Sequence, residues 1–100
     1  MLVEPTRTQD VRSNGAFRIE TWRLDAGECG EAIELPITLA ASVQVIGSGE
    51  VVIEAGIDRR NLVPIGQFKG LQPLDVAVRY LRPRCLSGSA MVHMLMVSER

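Results

Sequence analysis

The sequence is poor in the residues that catalytic and metal-binding sites use most. It contains one histidine, His93, and two cysteines, Cys29 and Cys85, which lie far apart in the chain. Neither cysteine has another Cys or His within four positions, so the close ligand pairs of a zinc site are missing. No serine or cysteine can be placed beside His93 from the sequence, and a histidine in an apolar strand is more simply a buried side chain. We therefore expect no metal, no cofactor and no enzymatic activity.

Aromatic residues and lysine are also scarce. Four aromatic side chains are too few to build the stacking platforms of most nucleic-acid or sugar sites. A formal net charge of -1 excludes a broad cationic surface, so we expect no nucleic-acid partner. Ten of the eleven basic residues are arginine. This bias suits flat, bidentate ion pairs at protein contacts, although the codon composition of the genome explains it equally well.

The chain has no long hydrophobic run. No stretch of 18 apolar residues occurs, and the first fifteen residues lack the basic-then-apolar order of a signal peptide. We therefore expect a protein that is made in a cytoplasm and does not enter a membrane. In that reducing compartment, Cys29 and Cys85 are expected to be free thiols.

Turn residues and alternating apolar residues organise what remains. Residues 1–15 show no apolar periodicity and are interpreted as an extended N-terminal arm, ordered on a neighbouring subunit. Residues 16–100 form a train of short alternating runs, which predicts one all-β domain: an antiparallel β-sandwich, jelly-roll-like or immunoglobulin-like. The expected strands cover residues 16–24, 32–39, 42–46, 50–55, 62–68, 75–81 and 90–97.

The turn at residues 47–49 reads Gly-Ser-Gly, which favours a hairpin that pairs residues 42–46 with residues 50–55. Glu50 and Glu54 share a face of the second strand. A glycosidase-like carboxylate pair is one interpretation, but acidic residues on strand edges are more simply solvated side chains.

The last strand is apolar on both faces. Met91, His93, Leu95 and Val97 share one side, and the alternate residues, Val92, Met94 and Met96, share the other. One side belongs to the core, and the other must meet a second sheet or another subunit. The sequence therefore predicts an interface that includes this strand.

Two stretches resemble the small β-sandwich structural proteins of tailed bacteriophages. Residues 50–65 contain Gly56, Asp58 and Asn61 in the pattern of their hairpin, in which a strand is followed by G-x-D-x-x-N. Residues 78–97 resemble their ending, an R-Y-x-R-P segment, a turn and a final strand. The residues that match this ending are Arg79, Tyr80, Arg82 and Pro83.

Physical roles can be assigned to these motif residues. Asp58 and Asn61 can bond turn backbone through their side chains and so hold the hairpin tip. Tyr80 is predicted to point inward, and Pro83 to end the strand beside it, because proline has no N–H to donate.

The resemblance implies a non-enzymatic virion protein that decorates the capsid or lies in the head-to-tail region, assembled in the cytoplasm of a bacterial host. Its expected partners are itself, as a trimer or larger ring, and other virion proteins such as capsid or tail subunits. We expect apolar burial at the interface, with arginine–carboxylate pairs at its rim. The candidate interface residues are Met91, His93, Met94, Met96, Arg82 and Arg84.

A second hypothesis is a carbohydrate- or ligand-binding module of the discoidin type, since those jelly rolls have a similar ending. Such a module requires a surface pocket that contains Trp22 and one or more arginines.

Overall fold

The computed structural model describes residues 2–12, 15–35, 38–74 and 78–98. These residues form eleven strands and no helix. The strands are β1 (Leu2–Val3), β2 (Thr6–Arg12), β3 (Gly15–Asp25), β4 (Cys29–Gly30), β5 (Ile33–Glu34), β6 (Thr38–Gly47), β7 (Glu50–Gly56), β8 (Val63–Phe68), β9 (Gly70–Pro73), β10 (Tyr80–Ser87) and β11 (Ser89–Ser98).

The strands form two sheets that face each other. Sheet A has the order β1-β4-β10-β7-β8, with β5 also paired to β10, and sheet B has the order β2-β3-β11-β6-β9. Neighbouring strands are antiparallel except β1 and β4, which pair in parallel over two residues. The predicted all-β, jelly-roll-like sandwich is confirmed. The described parts of the chain contain no helix with the length and apolar character needed to span a bilayer.

The core lies between the sheets and is built by period-two alternation. Because successive side chains of a strand point to opposite faces, each strand sends every second residue inward. The inner side of β11 carries Val92, Met94 and Met96, as its alternation predicted. The other buried core side chains are Trp22, Leu24, Val43, Val45 and Ala90 of sheet B, and Ile33, Val51, Ile53, Ala55, Leu81, Pro83 and Cys85 of sheet A.

Most of the described residues among the first fifteen pair within the chain's own sheets. Strand β2 pairs with β3 from Thr6 opposite Thr21 to Arg12 opposite Gly15, and β1 lies beside β4. The predicted arm is therefore extended, and its described backbone pairs with strands of this chain. Residues 1, 13 and 14 of the arm lie outside the described residues.

The expected pairing of residues 42–46 with residues 50–55 is wrong. Strand β6 pairs with β11 in sheet B, whereas β7 pairs with β10 in sheet A, so the Gly-Ser-Gly turn carries the chain between sheets. Gly47 has φ 115°, and a Cβ there would lie 2.8 Å from the carbonyl oxygen of Ser89. Glycine is therefore required at position 47, because the turn at residues 47–49 packs closely against the turn at Gly88, where β10 leads into β11.

The expected roles of Tyr80 and Pro83 are also wrong. Strand β10 begins at Tyr80, whose side chain lies on the outer side of sheet A, and it continues through the buried Pro83 to Ser87. Pro83 is tolerated because it lies beside Gly30, where β4 ends and the neighbouring strand is interrupted before β5. Residues 75–77 of the strand predicted at 75–81, and residues 36–37 of that predicted at 32–39, lie outside the described residues.

Candidate functional site

The outer side of sheet B is an apolar surface. We call it the apolar face and define it by the outward side chains of four strands: Phe17, Ile19 and Thr21 of β3, Ser42, Gln44 and Ile46 of β6, Leu71 of β9, and Met91, His93, Leu95 and Val97 of β11. Large apolar side chains on it are well exposed: Phe17 40%, Ile46 49%, Leu71 66% and Val97 37%. Exposed apolar surface marks an interaction site in many proteins, and here a polar row of Thr21, His93 and Gln44 crosses the middle of it.

His93 lies in the middle of the apolar face. The register places it between Thr21 on β3 and Gln44 on β6, and its Nδ1 lies 2.8 Å from the Thr21 hydroxyl oxygen. The ring is half-buried, and this hydrogen bond fixes its orientation. Its nearest partner is thus a hydroxyl group, and Met91 and Leu95 flank it along the strand.

The candidate interface residues separate into three places. Met91 and His93 lie on the apolar face, as an interface requires. Met94 and Met96 do not, because both side chains are fully buried between the sheets (0% and 1% exposed) and cannot touch a partner. The expectation for these two methionines is therefore wrong. Arg82 and Arg84 lie on the opposite side of the sandwich, on the outer side of sheet A.

Charged side chains cover the outer side of sheet A. At its centre, Nε of Arg82 donates to Glu54 Oε1 at 2.7 Å, and Nε of Arg84 donates to Glu54 Oε2 at 3.2 Å. Burial opposes ionisation of Glu54, but the two arginine hydrogen bonds outweigh it, so the pKa of this carboxyl lies below its ordinary value. The same bond raises the pKa of Arg84. We call Glu54, Arg82 and Arg84 the clamp.

The hydrogen bonds of the clamp explain why its arginines are poor candidates for a rim that meets another protein. Both Arg82 and Arg84 already have a carboxylate partner in their own chain. Glu54 is one of the two carboxylates considered as a glycosidase pair, the other being Glu50. Its two arginines hold it as a carboxylate, which is unsuited to the protonated general acid of that chemistry.

The two cysteines are free thiols, as expected from the sequence, and both are buried. Cys29 is the register partner of Arg84 and so lies on the same side of sheet A. Burial raises the pKa of both thiols, although Arg82 and Arg84 oppose this at Cys29. Raised pKa values make them weak nucleophiles near neutral pH.

The hairpin motif residues hold the turn between β7 and β8. Asp58 Oδ1 accepts from the Arg60 backbone N–H at 3.0 Å, and Asn61 Nδ2 donates to Asp58 Oδ2 at 3.2 Å. A Cβ at Gly56 would overlap the carbonyl oxygen of Asn61. These three residues therefore act on the shape of the chain, which is the scaffold role that the sequence assigned to Asp58 and Asn61.

The remaining motif residues form an exposed group beside this turn. The guanidinium of Arg59 lies 5.1 Å from the centre of the Tyr80 ring, and that of Arg79 lies 5.9 Å from it. Arg79 also approaches Glu34 at 3.7 Å, and the Tyr80 hydroxyl donates to Glu34 at 3.4 Å. Tyr80 thus holds arginines against the end of sheet A.

Sequence reasoning missed a buried ion cluster in sheet B. Glu20 occupies an inward position of β3, two residues before the core residue Trp22, and is fully buried. Nε of Arg7 donates to Glu20 Oε2 at 2.8 Å, and Nε of Arg18 lies 3.3 Å from the same oxygen. Burial lowers the pKa of Arg18, whereas Glu20 raises it. The only signal in the sequence was that Arg18, Glu20 and Trp22 are alternate residues and so share one face of the strand. Because two of the three are charged, that face looked solvent-exposed.

A cavity of about 520 Å³ opens beside this cluster, at one end of the sandwich. Sheet B contributes Arg7 and Arg18 to its wall, and the opposite wall comes from residues 31–35 and from Arg59 of the β7–β8 turn. We call it the mouth cavity. No three His, Cys, Asp or Glu side chains come together as a metal site in the described part of the chain.

The fold resembles several solved structures, whereas the sequence matches no protein-family model and no curated protein. An uncharacterized conserved protein with a double-stranded β-helix domain from Klebsiella pneumoniae has a TM-score of 0.61 and 16% identity, covering 96% of this chain and 73% of that one. A cupin domain from Bordetella pertussis has a TM-score of 0.56 and 12% sequence identity, and the match covers 98% of this chain and 97% of that one. An RmlC-like cupin protein from Desulfovibrio desulfuricans has a TM-score of 0.52 and 14% sequence identity, and the match covers 93% of this chain and 82% of that one.

These likenesses correct the functional expectation. The similar structures are cupin-type domains, so the prediction of a phage capsid-decoration or head–tail protein is wrong. The discoidin-type alternative fails as well, because Trp22 is fully buried and its Nε1 donates to the Glu31 carbonyl oxygen at 3.2 Å. At these identities the likeness shows the fold alone. The chain has a cupin-like, double-stranded β-helix fold.

Proposed function

We propose that the protein works by binding a second copy of itself through the apolar face, as an interaction protein rather than an enzyme. The observation that carries this proposal is the set of exposed large apolar side chains on the outer side of sheet B. Their burial against a partner removes apolar surface from water, which is the main favourable term in protein association.

The size of the face fits a dimer with a small interface. Its four strands have 11, 10, 10 and 4 residues. At about 3.4 Å per residue and about 4.8 Å between strands, they cover roughly 570 Å². Two copies stacked sheet to sheet would therefore bury about 1,100 Å² in total, just above the roughly 1,000 Å² that a specific interface needs.

The charge of the face favours a second copy over a charged partner. Among the outward side chains that the structure describes on sheet B, the charged ones are Arg23 and Asp25, at the end of β3. A strongly charged protein would find no complementary charge at the centre of the face. In a second copy Arg23 and Asp25 lie again at the end of β3, away from the centre of the face, so no carboxylates or guanidinium groups meet at the centre.

The geometry also favours a pair over a ring. A flat sheet face is a single patch, and a patch that binds itself across a two-fold axis closes after two copies. The trimer or larger ring expected from the sequence requires two different patches on each subunit. On sheet A the arginines of the clamp are already paired, and the exposed Leu2 and Val63 lie on opposite edge strands, so they do not form a second central patch.

Nothing in this proposal requires a chemical step. The space between the sheets is filled by apolar side chains such as Trp22, Ile53 and Met94. The buried carboxylate of Glu20 is held by Arg7, and His93 is bonded to Thr21. These contacts give Glu20 and His93 structural roles, and Glu20 Oε1 and Arg18 Nε are the buried polar atoms left without a hydrogen-bond partner among the described residues.

Two isoleucine variants test the proposal. Ile46 is 49% exposed on the apolar face, and Ile57 is 82% exposed in the β7–β8 turn, so Ile46→Glu and Ile57→Glu add the same charge in different places. Light scattering after size exclusion, over a series of concentrations, should show a dimer for the wild type and for Ile57→Glu. For Ile46→Glu the dissociation constant should rise at least tenfold, because a buried unpaired charge is costly. A wild type that stays monomeric, or an Ile46→Glu variant that dimerises normally, would overturn the proposal.

A further inference from the structure

The mouth cavity is separate from the apolar face and carries a second inference. Its volume of about 520 Å³ lies within the ~300–1,000 Å³ that small-molecule sites occupy. Charged groups of both signs line it: Arg7, Arg18 and Arg59, and Glu4, Glu31 and Glu34.

The basic wall of the cavity is held in place from behind. Glu20 binds Nε of Arg7 at 2.8 Å, and the half-exposed guanidinium of Arg7 lines the cavity. Nη2 of Arg18 donates to the carbonyl oxygen of Glu34 at 3.0 Å, which ties sheet B to the opposite wall. Arginines fixed at one nitrogen lose less freedom when their remaining nitrogens bind a ligand.

The acidic side of the cavity is formed by three glutamates, Glu4, Glu31 and Glu34. Within the described residues, no ion pair involves Glu4 or Glu31, whereas Glu34 approaches Arg79 at 3.7 Å. The backbone N–H of Glu31 donates to the Val3 carbonyl oxygen at 2.7 Å, so Glu31 is fixed beside Glu4. A ligand cation placed here would meet two carboxylates.

We propose that the mouth cavity binds a short peptide with free termini. Its carboxylate would pair with the guanidinium of Arg7, whose nitrogens form the planar fork that carboxylates accept, and its ammonium group would pair with Glu31 and Glu4. A simple anion would leave its charge near these two glutamates, and a simple cation would lie near Arg7 and Arg59. The apolar residues Ile33 and Leu35 line the same cavity and offer contacts to the middle of the peptide.

Triglycine is the probe that tests this site. Backbone amide shifts in NMR spectra of the full chain should move in a saturable way on adding triglycine, with the largest shifts at Glu4, Arg7, Glu31 and Leu35. N-acetyl-triglycine, which lacks the ammonium group, and triglycine amide, which lacks the carboxylate, should each bind at least about tenfold more weakly, since hydrogen bonds to charged groups contribute that much.

Two variants locate the binding and a third serves as control. Glu31→Gln should weaken triglycine binding but leave the weak binding of N-acetyl-triglycine unchanged. Arg59→Gln should weaken binding more than Arg60→Gln, because Arg59 lines the cavity and its exposed neighbour Arg60 does not. Shifts that do not saturate, shifts confined to the apolar face, or equal binding of free and blocked tripeptides would overturn the proposal. None of these outcomes depends on the dimer.

Discussion

The outer sides of the two sheets expose different kinds of side chain to water. Sheet A presents Glu54, Arg82, Arg84 and the group around Tyr80, in which nearly every charge has a partner in the same chain. Sheet B presents isoleucine, leucine, phenylalanine and valine, whose exposed area has no partner among the described residues. Sheet A leaves exposed apolar side chains mostly on its edge strands, such as Leu2 of β1 and Val63 of β8, whereas sheet B also carries them on inner strands, such as Phe17 of β3 and Val97 of β11.

The contrast follows from the strands that build each side. On β10 the outward positions are Tyr80, Arg82 and Arg84, and its partner β7 places Glu54 directly opposite Arg82. On β11 the outward positions are Met91, His93, Leu95 and Val97, and β3 places Phe17 and Ile19 beside two of them. Cross-strand pairing thus joins opposite charges on one side and apolar groups on the other.

Changing a carboxylate between the sheets should have the largest effect on stability. Glu20→Gln removes the charge that holds Arg7 and Arg18, and it leaves the partly buried Arg18 without a counter-ion. Breaking a buried pair costs about 3 kcal/mol of unfolding free energy. Urea unfolding of the variant against wild type measures this loss. A change below about 1 kcal/mol would show that the cluster contributes little to folding.

The same substitution in the clamp should cost less, because Arg82 and Arg84 remain partly in contact with water. We expect Glu54→Gln to lower the unfolding free energy by about 1.5 kcal/mol, the usual contribution of a charged hydrogen bond. Glu50→Gln, on the exposed end of the same strand, is the matched control and should change it by less than about 0.5 kcal/mol. Equal losses in the two variants would contradict the role of the clamp.

The clamp also predicts a pH dependence. The pKa of Glu54 is lower in the folded chain than its ordinary value of 4.5, so its contribution to stability is present above that value. It is lost as pH falls through the lowered pKa and the carboxylate takes up a proton. The stability difference between wild type and Glu54→Gln should therefore close in acid. A difference that stays constant through this range would contradict the argument.

The smallest effect is expected at the exposed edge of sheet A. Arg79 and Glu34 are 3.7 Å apart and both are largely in solvent, where ion pairs contribute little. Arg79→Ala should change the unfolding free energy by no more than about 0.5 kcal/mol. Chemical denaturation of Arg79→Ala in parallel with Glu54→Gln checks this. If the two variants lost equal amounts of unfolding free energy, solvent exposure would not explain the difference expected between the two ion pairs.

Local alternation was enough to predict much of the fold. The faces of β11 follow from its sequence, because each inward residue is followed by an outward one for the length of the strand. The hairpin tip follows from Asp58 and Asn61, whose side chains act within a few residues. The all-β class follows from the same short-range patterns.

Features that depend on distant segments could not be predicted. The sheet to which a strand belongs is decided by its partner, so the glycine-rich turn after β6 gave no sign that β7 lies in the other sheet. Glu20 is buried because Arg7, from another strand, neutralises it. The mouth cavity joins three separate segments, and no spacing along the chain indicates that they meet.

Oxidative footprinting of the methionines tests the central claim most directly, because it locates the interface. Met91 lies half-buried on the apolar face, whereas Met94 and Met96 are fully buried three and five positions later in the same strand. Oxidation by hydroxyl radicals should be faster at Met91 in dilute protein and should slow markedly in concentrated protein, while Met94 and Met96 stay slow in both. A Met91 rate that is the same at both concentrations would contradict the claim that the apolar face of sheet B binds a second copy of the chain.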